Sequence, residues 1–457
     1  MNIIGISAYH HDSAAAHLDK HLIKAASHEE RFSRKKYDSN FPVKTLRWIR
    51  KQQEQVDAVI FYEKKNFKER QSIKRDIKKS IPGSYPIEFM EHHDCHAMSS
   101  ILTTDWNDCA VMVVDSIGGK YATSLGIYEN NQITWLKRFE YPNSLGLFYS
   151  TITRFLGFTP LMDEEKVMSA AAYGDPKWVK YAKDKFITTE IGDYNLLQDL
   201  RRGIGIGILD WDIAASAQEI LQECLLNLAG WLHKETGQFK LAYGGGVALN
   251  CVANTQLIRY TNFNEVAIQP AAGDAGCALG AAALIERPLW EGPFLGFEDS
   301  LNQNIDEITF KLLSGEVVPV LNGKAEFGPR ALGNRSLLCL PTDVNISKLD
   351  NIKKRGDDNW RPYAPICLDY IAEDLFNIYQ PSYEMLFIAY TETDKFKTYD
   401  DTARLQLVNN KSNAFLTKIL EITTNQGHPI LINTSLNARG KPIVNSVEDF
   451  RNEIKLF

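Results

Sequence analysis

Residues 2–28, NIIGISAYHHDSAAAHLDKHLIKAASH, decide the fold. Asn2 to Ser7 is an apolar run of strand length. Ala14 to Leu18 and Leu22 to Ser27 follow as two further strands, forming a hairpin turned at Asp19-Lys20-His21. The same plan returns about a hundred residues later. Cys109 to Asp115 is an apolar strand ending in a carboxylate, and Thr123 to Tyr128 and Gln132 to Phe139 make a hairpin turned at Glu129-Asn130-Asn131. Two strand-plus-hairpin units of one layout predict a duplicated α/β core.

Such duplication is the plan of actin-like and sugar-kinase folds, which set nucleotide phosphates between their halves. Helical spacing appears over Pro42 to Gln53 and over Ile213 to His233, the latter with Asp212 as its expected N-cap. Lys240 to Tyr243 runs as a strand into Gly244-Gly245-Gly246, and AAGDAGCALGAAALIE (271–286) reads as a glycine-rich loop entering a helix. At 457 residues the chain exceeds one typical core, so two domains are expected. The Gly-, Pro- and Phe-rich stretch Pro288 to Asn304 reads as a linker. This places the boundary near residue 295, with domains 1–295 and 296–457.

Composition is that of a globular protein, 44% apolar and 24% charged. No basic leader with an apolar core and no 18-residue apolar run is present, so the expectation is a cytoplasmic chain without membrane association. The seven cysteines are scattered with no CxxC pair, which argues against a disulfide framework or a zinc ribbon. A formal net charge of -6 speaks against nucleic acid as a partner. Eight of the ten histidines fall within the first 96 residues, which places the chemistry in the N-terminal domain.

His92 and His96, in EHHDCHAMSS, stand four apart at the start of an expected helix, so both rings project from one face as metal ligands do. An isolated pair at this spacing is more often structural. Asp274, a carboxylate in the AGDAG loop, is the candidate third ligand. Imidazole with carboxylate suits iron, zinc or manganese. His93 is expected to point elsewhere. The triple glycine 244–246, leading to Asn250, would let the backbone approach a phosphate or an adenine ring. There is no GxxxxGK[ST] loop, and the run Gly203 to Gly207 lacks the spacing of a dinucleotide fingerprint. A cationic set completes the candidates: Arg330 and Arg335 in EFGPRALGNRS, Lys353, Arg355 and Arg361 in KKRGDDNWRP, and Arg404 in TARLQ. Glycine, proline and aromatic residues surround them, as expected of a site that holds phosphates bidentately. Asn433, Ser435 and Asn437 in LINTSLN add neutral donors.

With these segments in view, the sequence resembles the NodU/CmcH-type O-carbamoyltransferases over nearly its whole length. GISAYHHDSAAA, EERFSRKK, HHDCHA, GGGVALNCVAN, PAAGDAGCALGAA, EFGPRALGNRS, RPYAP, TARLQ and LINTSLNARGKPIV follow the family's order. The resemblance implies an actin-like N-terminal domain, like the tRNA threonylcarbamoyl-transfer subunit, and a smaller YrdC-like C-terminal domain. It implies that ATP, carried with Mg²⁺, and carbamoyl phosphate give carbamoyl adenylate, whose carbamoyl group passes to the hydroxyl of a small-molecule or sugar acceptor. His92, His96 and Asp274 then match the ligands of a divalent metal, iron(II) being favoured. His11 matches a histidine that assists the acceptor hydroxyl, and Asp115 and Asn250 match positions near the adenylate. Lys353, Arg330, Arg361 and Arg404 match the cationic pocket of the first half-reaction, with the choice among Lys353, Lys354 and Arg355 open. A homodimer would fit the family. Ser116, Gly119, Ser169 and Ala172 depart from its pattern. The changes around Gly119 and Ser169 keep open a noncatalytic nucleotide-binding module, and a transferase of the tRNA threonylcarbamoyl kind stands as a further alternative that the acidic balance does not favour.

Overall fold

The computed structural model describes residues 1–52, 55–63, 66–186, 210–354, 360–393, 398 and 400–453. Gln53, the Gly203 to Gly207 run and Arg355 lie outside the described residues. Ten strands form two sheets of identical plan. The first contains β1 (Asn2–Ser7), β2 (Ala14–Asp19), β3 (Leu22–His28), β4 (Ala58–Phe61) and β5 (Ile87–Phe89), in the order β3-β2-β1-β4-β5. The second contains β6 (Cys109–Gly118), β7 (Tyr121–Glu129), β8 (Gln132–Glu140), β9 (Lys240–Gly244) and β10 (Glu265–Ala267), in the order β8-β7-β6-β9-β10. In each, three strands pair antiparallel and two more join in parallel on the other side of the first strand.

Local chemistry accounts for the hairpins. Asn130 and Asn131 both take positive φ (53° and 59°), the twist that matches flanking strands in a two-residue turn. The central strands read as continuous apolar runs because helices cover both of their faces. Ile3, Ile4 and Ile6 of β1 and Val111, Val113 and Val114 of β6 are all buried. β6 continues past Asp115, but its pairing with β7 breaks between Val114 and Gly118, which frees Asp115 from the ladder. The long helix Trp211–Thr236 starts ahead of the expected position. Its N-cap is Asp210, whose side chain accepts Ile213 N at 3.1 Å from an extended backbone, while Asp212 already lies in the first turn and binds Lys177 Nζ at 2.8 Å.

The C-terminal sheet contains β11 (Val318–Leu321), β12 (Arg335–Cys339), β13 (Ala364–Leu368), β16 (Gln406–Val408) and β17 (Leu431–Ser435), in the order β11-β12-β17-β13-β16. Only β13 and β16 pair in parallel. A short ribbon of β14 (Ala389–Tyr390) and β15 (Thr402–Ala403) stands apart. The stretch expected to be a linker is packed rather than free. Leu289 N donates to His21 O, Ala26 N donates to Leu295 O, and from Gly296 onward the chain pairs with residues 323–325. Arg34 joins the halves further. Its guanidinium donates to both carboxylate oxygens of Glu453, each at 2.8 Å, and to the carbonyls of Pro442 (2.9 Å) and Ile443 (2.8 Å). Among the described residues no helix is long and apolar enough to cross a membrane.

Candidate active site

The helix His92–Ile101 starts at Glu91, whose side chain accepts Asp94 N, so His92 and His96 share one face a turn apart. Their Nε2 atoms are 3.0 Å from each other. Asp274 Oδ1 stands 3.6 Å from each of them, and Asp115 Oδ2 stands 3.3 Å from His92 and 3.6 Å from His96. These four donor atoms lie within 4.8 Å of one another and all four residues are at least nearly buried. Two imidazoles and two carboxylates aimed at one point are a donor set that fits a divalent transition metal. Burial alone would raise the Asp115 carboxyl, but hydrogen bonds from His92 and His96 hold it well below the usual range. Cys277 also comes within reach, yet burial pushes its thiol up to about 12, so carboxylates are the better anionic donors. His93 turns away, with Nδ1 2.7 Å from Ser124 Oγ.

Small residues make this convergence possible. The helix Asp274–Ala283 crosses the histidine helix so closely that a Cβ on Gly280 would lie 1.9 Å from Cys95 O. That approach carries Asp274, the first residue of its helix, to the two rings. At the end of β9, Gly245 has φ 95° and a Cβ there would lie 2.2 Å from Val114 O. The triple glycine thus fits β9 against β6 and the histidine helix. Gly246 alone of the three borders the cavity described next, and its N–H points to Asp115 Oδ1 at 3.3 Å.

A cavity of about 580 Å³ runs between the N-terminal sheets and the C-terminal sheet. The histidine pair meets it through Asp115 and Asp274. His11 stands in the same wall, its Nδ1 3.2 Å from Asp12 Oδ2, its ring 4.9 Å from that of Tyr37, and its Nε2 without a partner among the described residues. Burial lowers the pKa of His11, but Asp12, then Asp274 and Glu164, override it and hold the group up at about 9. Asn250 lines the cavity too, its amide locked in two reciprocal hydrogen bonds with Gln218 (2.9 and 3.1 Å).

The opposite wall is cationic. Arg330, Lys353, Arg361 and Arg404 all line it, with Asn433 and Ser435. Arg330 Nη2 donates to Leu249 O, but its Nη1 and the Nε of Arg404 meet no acceptor among the described residues. Burial lowers both guanidinium pKa values, that of Arg330 to about 10, which an anionic ligand would reverse. Lys353 is the lysine that turns inward, its Nζ 2.8 Å from Ser435 O and 2.5 Å from Asn437 Oδ1, whereas Lys354 is the exposed C-cap of its helix. Arg335 departs from the expectation. It starts β12, is fully buried, and spends its guanidinium on the carbonyls of Asn445, Asn322, Asn334, Phe297 and Gly323. It braces the turn from β11 to β12 and does not reach the cavity. The sequence reading passed over Asp12, His28, Tyr37, Arg439 and Lys441, which also line it. Each lies in or beside a quoted motif, but the motif marks the segment and not the side chain that faces inward.

Family comparison places the chain as a whole. Residues 2–84 and 71–283 match the model described as carbamoyltransferase N-terminus, and residues 310–455 match carbamoyltransferase C-terminus. The chain belongs to the carbamoyltransferase family. This carbamoyltransferase is 32% identical to nodulation protein NolO of Bradyrhizobium diazoefficiens, over 79% of this chain and 75% of that one. It is 29% identical to nodulation protein NolNO of Sinorhizobium fredii, over 97% and 76%. An uncharacterized protein of Synechocystis sp. is 30% identical over 98% and 93%. Among solved structures, T. kodakarensis HypF matches with a TM-score of 0.38 at 13% identity, covering 62% of this chain and 47% of that one. A ROK hexokinase from Thermus thermophilus matches with a TM-score of 0.32 at 13% identity, covering 62% and 98%.

Proposed function

We propose that this carbamoyltransferase uses ATP and carbamoyl phosphate to carbamoylate a hydroxyl group, with both half-reactions opening on the one cavity. The observation that carries the reading is the continuity of that cavity from Arg330, Lys353, Arg361 and Arg404 to His11, Asp115 and Asp274. At the cationic wall, carbamoyl phosphate loses phosphate to water, and the carbamate oxygen attacks the α-phosphorus of ATP, expelling pyrophosphate and leaving carbamoyl adenylate. The guanidinium groups neutralise the phosphate oxygens, each charge-assisted bond contributing ~1.5 to 3 kcal/mol. Mg²⁺ accompanies the ATP.

At the opposite wall the acceptor oxygen attacks the carbamoyl carbon, AMP departs, and the hydroxyl proton passes to His11 Nε2 when that nitrogen is free. Asp12 fixes the ring by accepting from Nδ1. A divalent cation held by His92, His96, Asp115 and Asp274 would supply Lewis acidity beside the carbamoyl carbonyl. The experiment is pyrophosphate release from ATP, Mg²⁺ and carbamoyl phosphate without acceptor, against a control lacking carbamoyl phosphate. Carbamoyl-phosphate-dependent release supports the adenylate route; no release from folded, metal-loaded protein rejects it.

A further inference from the structure

Charge is spread unevenly along the chain. Residues 43–80 hold 12 of the 51 lysines and arginines and 5 of the 57 acidic residues, a net +7 inside a chain of net -6. Two helices carry much of this excess, Val43–Gln52, which has no carboxylate at all, and Phe67–Ser80. They pack against each other and send Leu46, Ile49, Ile73 and Ile77 into one core, which turns their opposite faces outward. Tyr85 joins their ends. The Lys78 ammonium lies 3.7 Å from its ring centroid, and the charge of Arg50 reaches its phenol.

Lys44, Arg47 and Lys51 are exposed on the first helix, and Lys68, Arg75 and Lys79 on the second. Of these six, Lys79 alone pairs with a carboxylate among the described residues, Asp76 at 4.0 Å. A cation in the last turn offsets the helix dipole, as Lys51 and Lys79 do. Lys44 and Lys68 are each the second residue of their helix, where the dipole opposes them, so helix stability does not account for them. Phe67 shares a stripe with Gln71, Arg75 and Lys78 by helical spacing and is 75% exposed. Clustered cations around an outward aromatic ring match a phospholipid surface, whose phosphates meet the cations while the interface beneath them takes the ring. A nucleic-acid duplex would meet the cations and leave the ring in water.

We propose that the outer face of helices Val43–Gln52 and Phe67–Ser80 docks on an anionic phospholipid bilayer, with the cations at its phosphates and Phe67 in its interface. No described helix can cross a membrane, and this contact needs none. The face lies beside the reaction. Tyr9 donates to Asp76 Oδ2 on the second helix at 2.7 Å, and the next residue, His10, lines the cavity. The proposal does not rest on the carbamoyl-transfer reading.

The test is cosedimentation of the full chain with vesicles of phosphatidylcholine carrying about 30% phosphatidylglycerol, against vesicles of phosphatidylcholine alone. The chain should bind the first and not the second, and raising salt from about 0.1 M to about 0.5 M should release it. Each lysine or arginine near such a surface contributes about fivefold, so Lys68→Gln with Arg75→Gln should weaken binding about 25-fold. Phe67→Ser should weaken it several-fold at every salt concentration, which contact through charge alone does not require. Lys234→Gln with Lys418→Gln, exposed on the helices Trp211–Thr236 and Asn410–Asn425, should change nothing. All these variants replace exposed side chains and should melt with the wild type. Equal binding to both vesicles, undiminished binding by Phe67→Ser, or an equal loss from the Lys234 and Lys418 pair overturns the proposal. Tighter binding of duplex DNA or single-stranded RNA at the same salt would assign the face to nucleic acid. A dimer that dissociates on loss of Lys68 and Arg75 would assign it to a second copy, and either result overturns the proposal too.

Discussion

Asp274 Oδ1 stands 3.6 Å from Nε2 of His92 and the same distance from Nε2 of His96, although the carboxylate and the rings start different helices. With Asp115 they form a four-donor cluster whose two carboxylates face the cavity. Losing even an outer-shell partner of a metal ligand typically costs about 10- to 100-fold in metal affinity, so losing an imidazole ligand should cost at least that much. His92→Ala should therefore lose bound transition metal on dialysis and lose carbamoyl transfer, while acceptor-free pyrophosphate release persists. Metal analysis alongside the two assays decides, and unchanged transfer by the purified variant would remove the cluster from the reaction.

Arg361 should show the opposite pattern. Its guanidinium lines the cationic wall, with Nη2 3.3 Å from Glu165 Oε1, which lines the same cavity. Arg361→Ala should lower pyrophosphate release about 10- to 100-fold, the loss expected for one bidentate phosphate contact. Metal content should stay at the wild-type value.

His11 sets a pH dependence. Acting as a base requires its neutral form, and its pKa stands at about 9. Transfer should climb as pH rises, pass its half-maximal point near pH 9 and level off only above it, and Asp12→Asn should move the inflection down by removing the strongest of the attracting carboxylates. The sign for stability is the reverse. A pKa raised above the ordinary 6.5 stabilises fully below about pH 6.5, and that contribution fades as pH rises to about 9. A rate profile with its inflection at or below 6.5 would exclude this role.

Arg335→Ala should act on folding and not on the chemistry. It leaves five carbonyls without their shared cationic donor, a loss of about 3 to 5 kcal/mol by analogy with other broken buried charge sites. Urea unfolding should report it. KM for ATP in the fraction that remains folded should match the wild type.

Gly280→Ala tests the helix crossing. The added Cβ would meet Cys95 O, so the Asp274–Ala283 helix must move outward. The expected result is destabilisation of about 1 to 3 kcal/mol, together with weaker metal retention, because Asp274 moves with its helix. Wild-type metal retention in a destabilised variant would show that Asp274 adapts on its own.

Much of this architecture was legible because it is local. The strand-hairpin repeats follow from apolar runs of strand length and from turn residues such as Asn130-Asn131, and the pairing of His92 with His96 follows from helix geometry alone. What escaped is decided by contacts between distant segments. Asp115 resembled an adenylate neighbour, and the packing of the histidine helix against β6 brings it to the two rings. Arg330 and Arg335 sit five residues apart in one glycine-rich motif. Their fates diverge because Arg335 begins β12 and pairs with Leu321, which drives it into the interior. Asp212 was expected to cap the long helix, but the helix begins a residue before it and Asp210, on extended backbone, is the cap.

The Arg34 clasp bears on how such a chain can change over generations. One guanidinium near the N-terminus grips Pro442, Ile443 and Glu453 near the far end of the described chain. A split of the gene anywhere between these points would yield two polypeptides that each expose one side of a charge pair now shielded from water. Recombination that traded one half for a distant relative's would have to bring matching carbonyl and carboxylate positions with it. Exchange of one half alone would therefore take from Arg34 the carbonyl and carboxylate partners that it has in this chain.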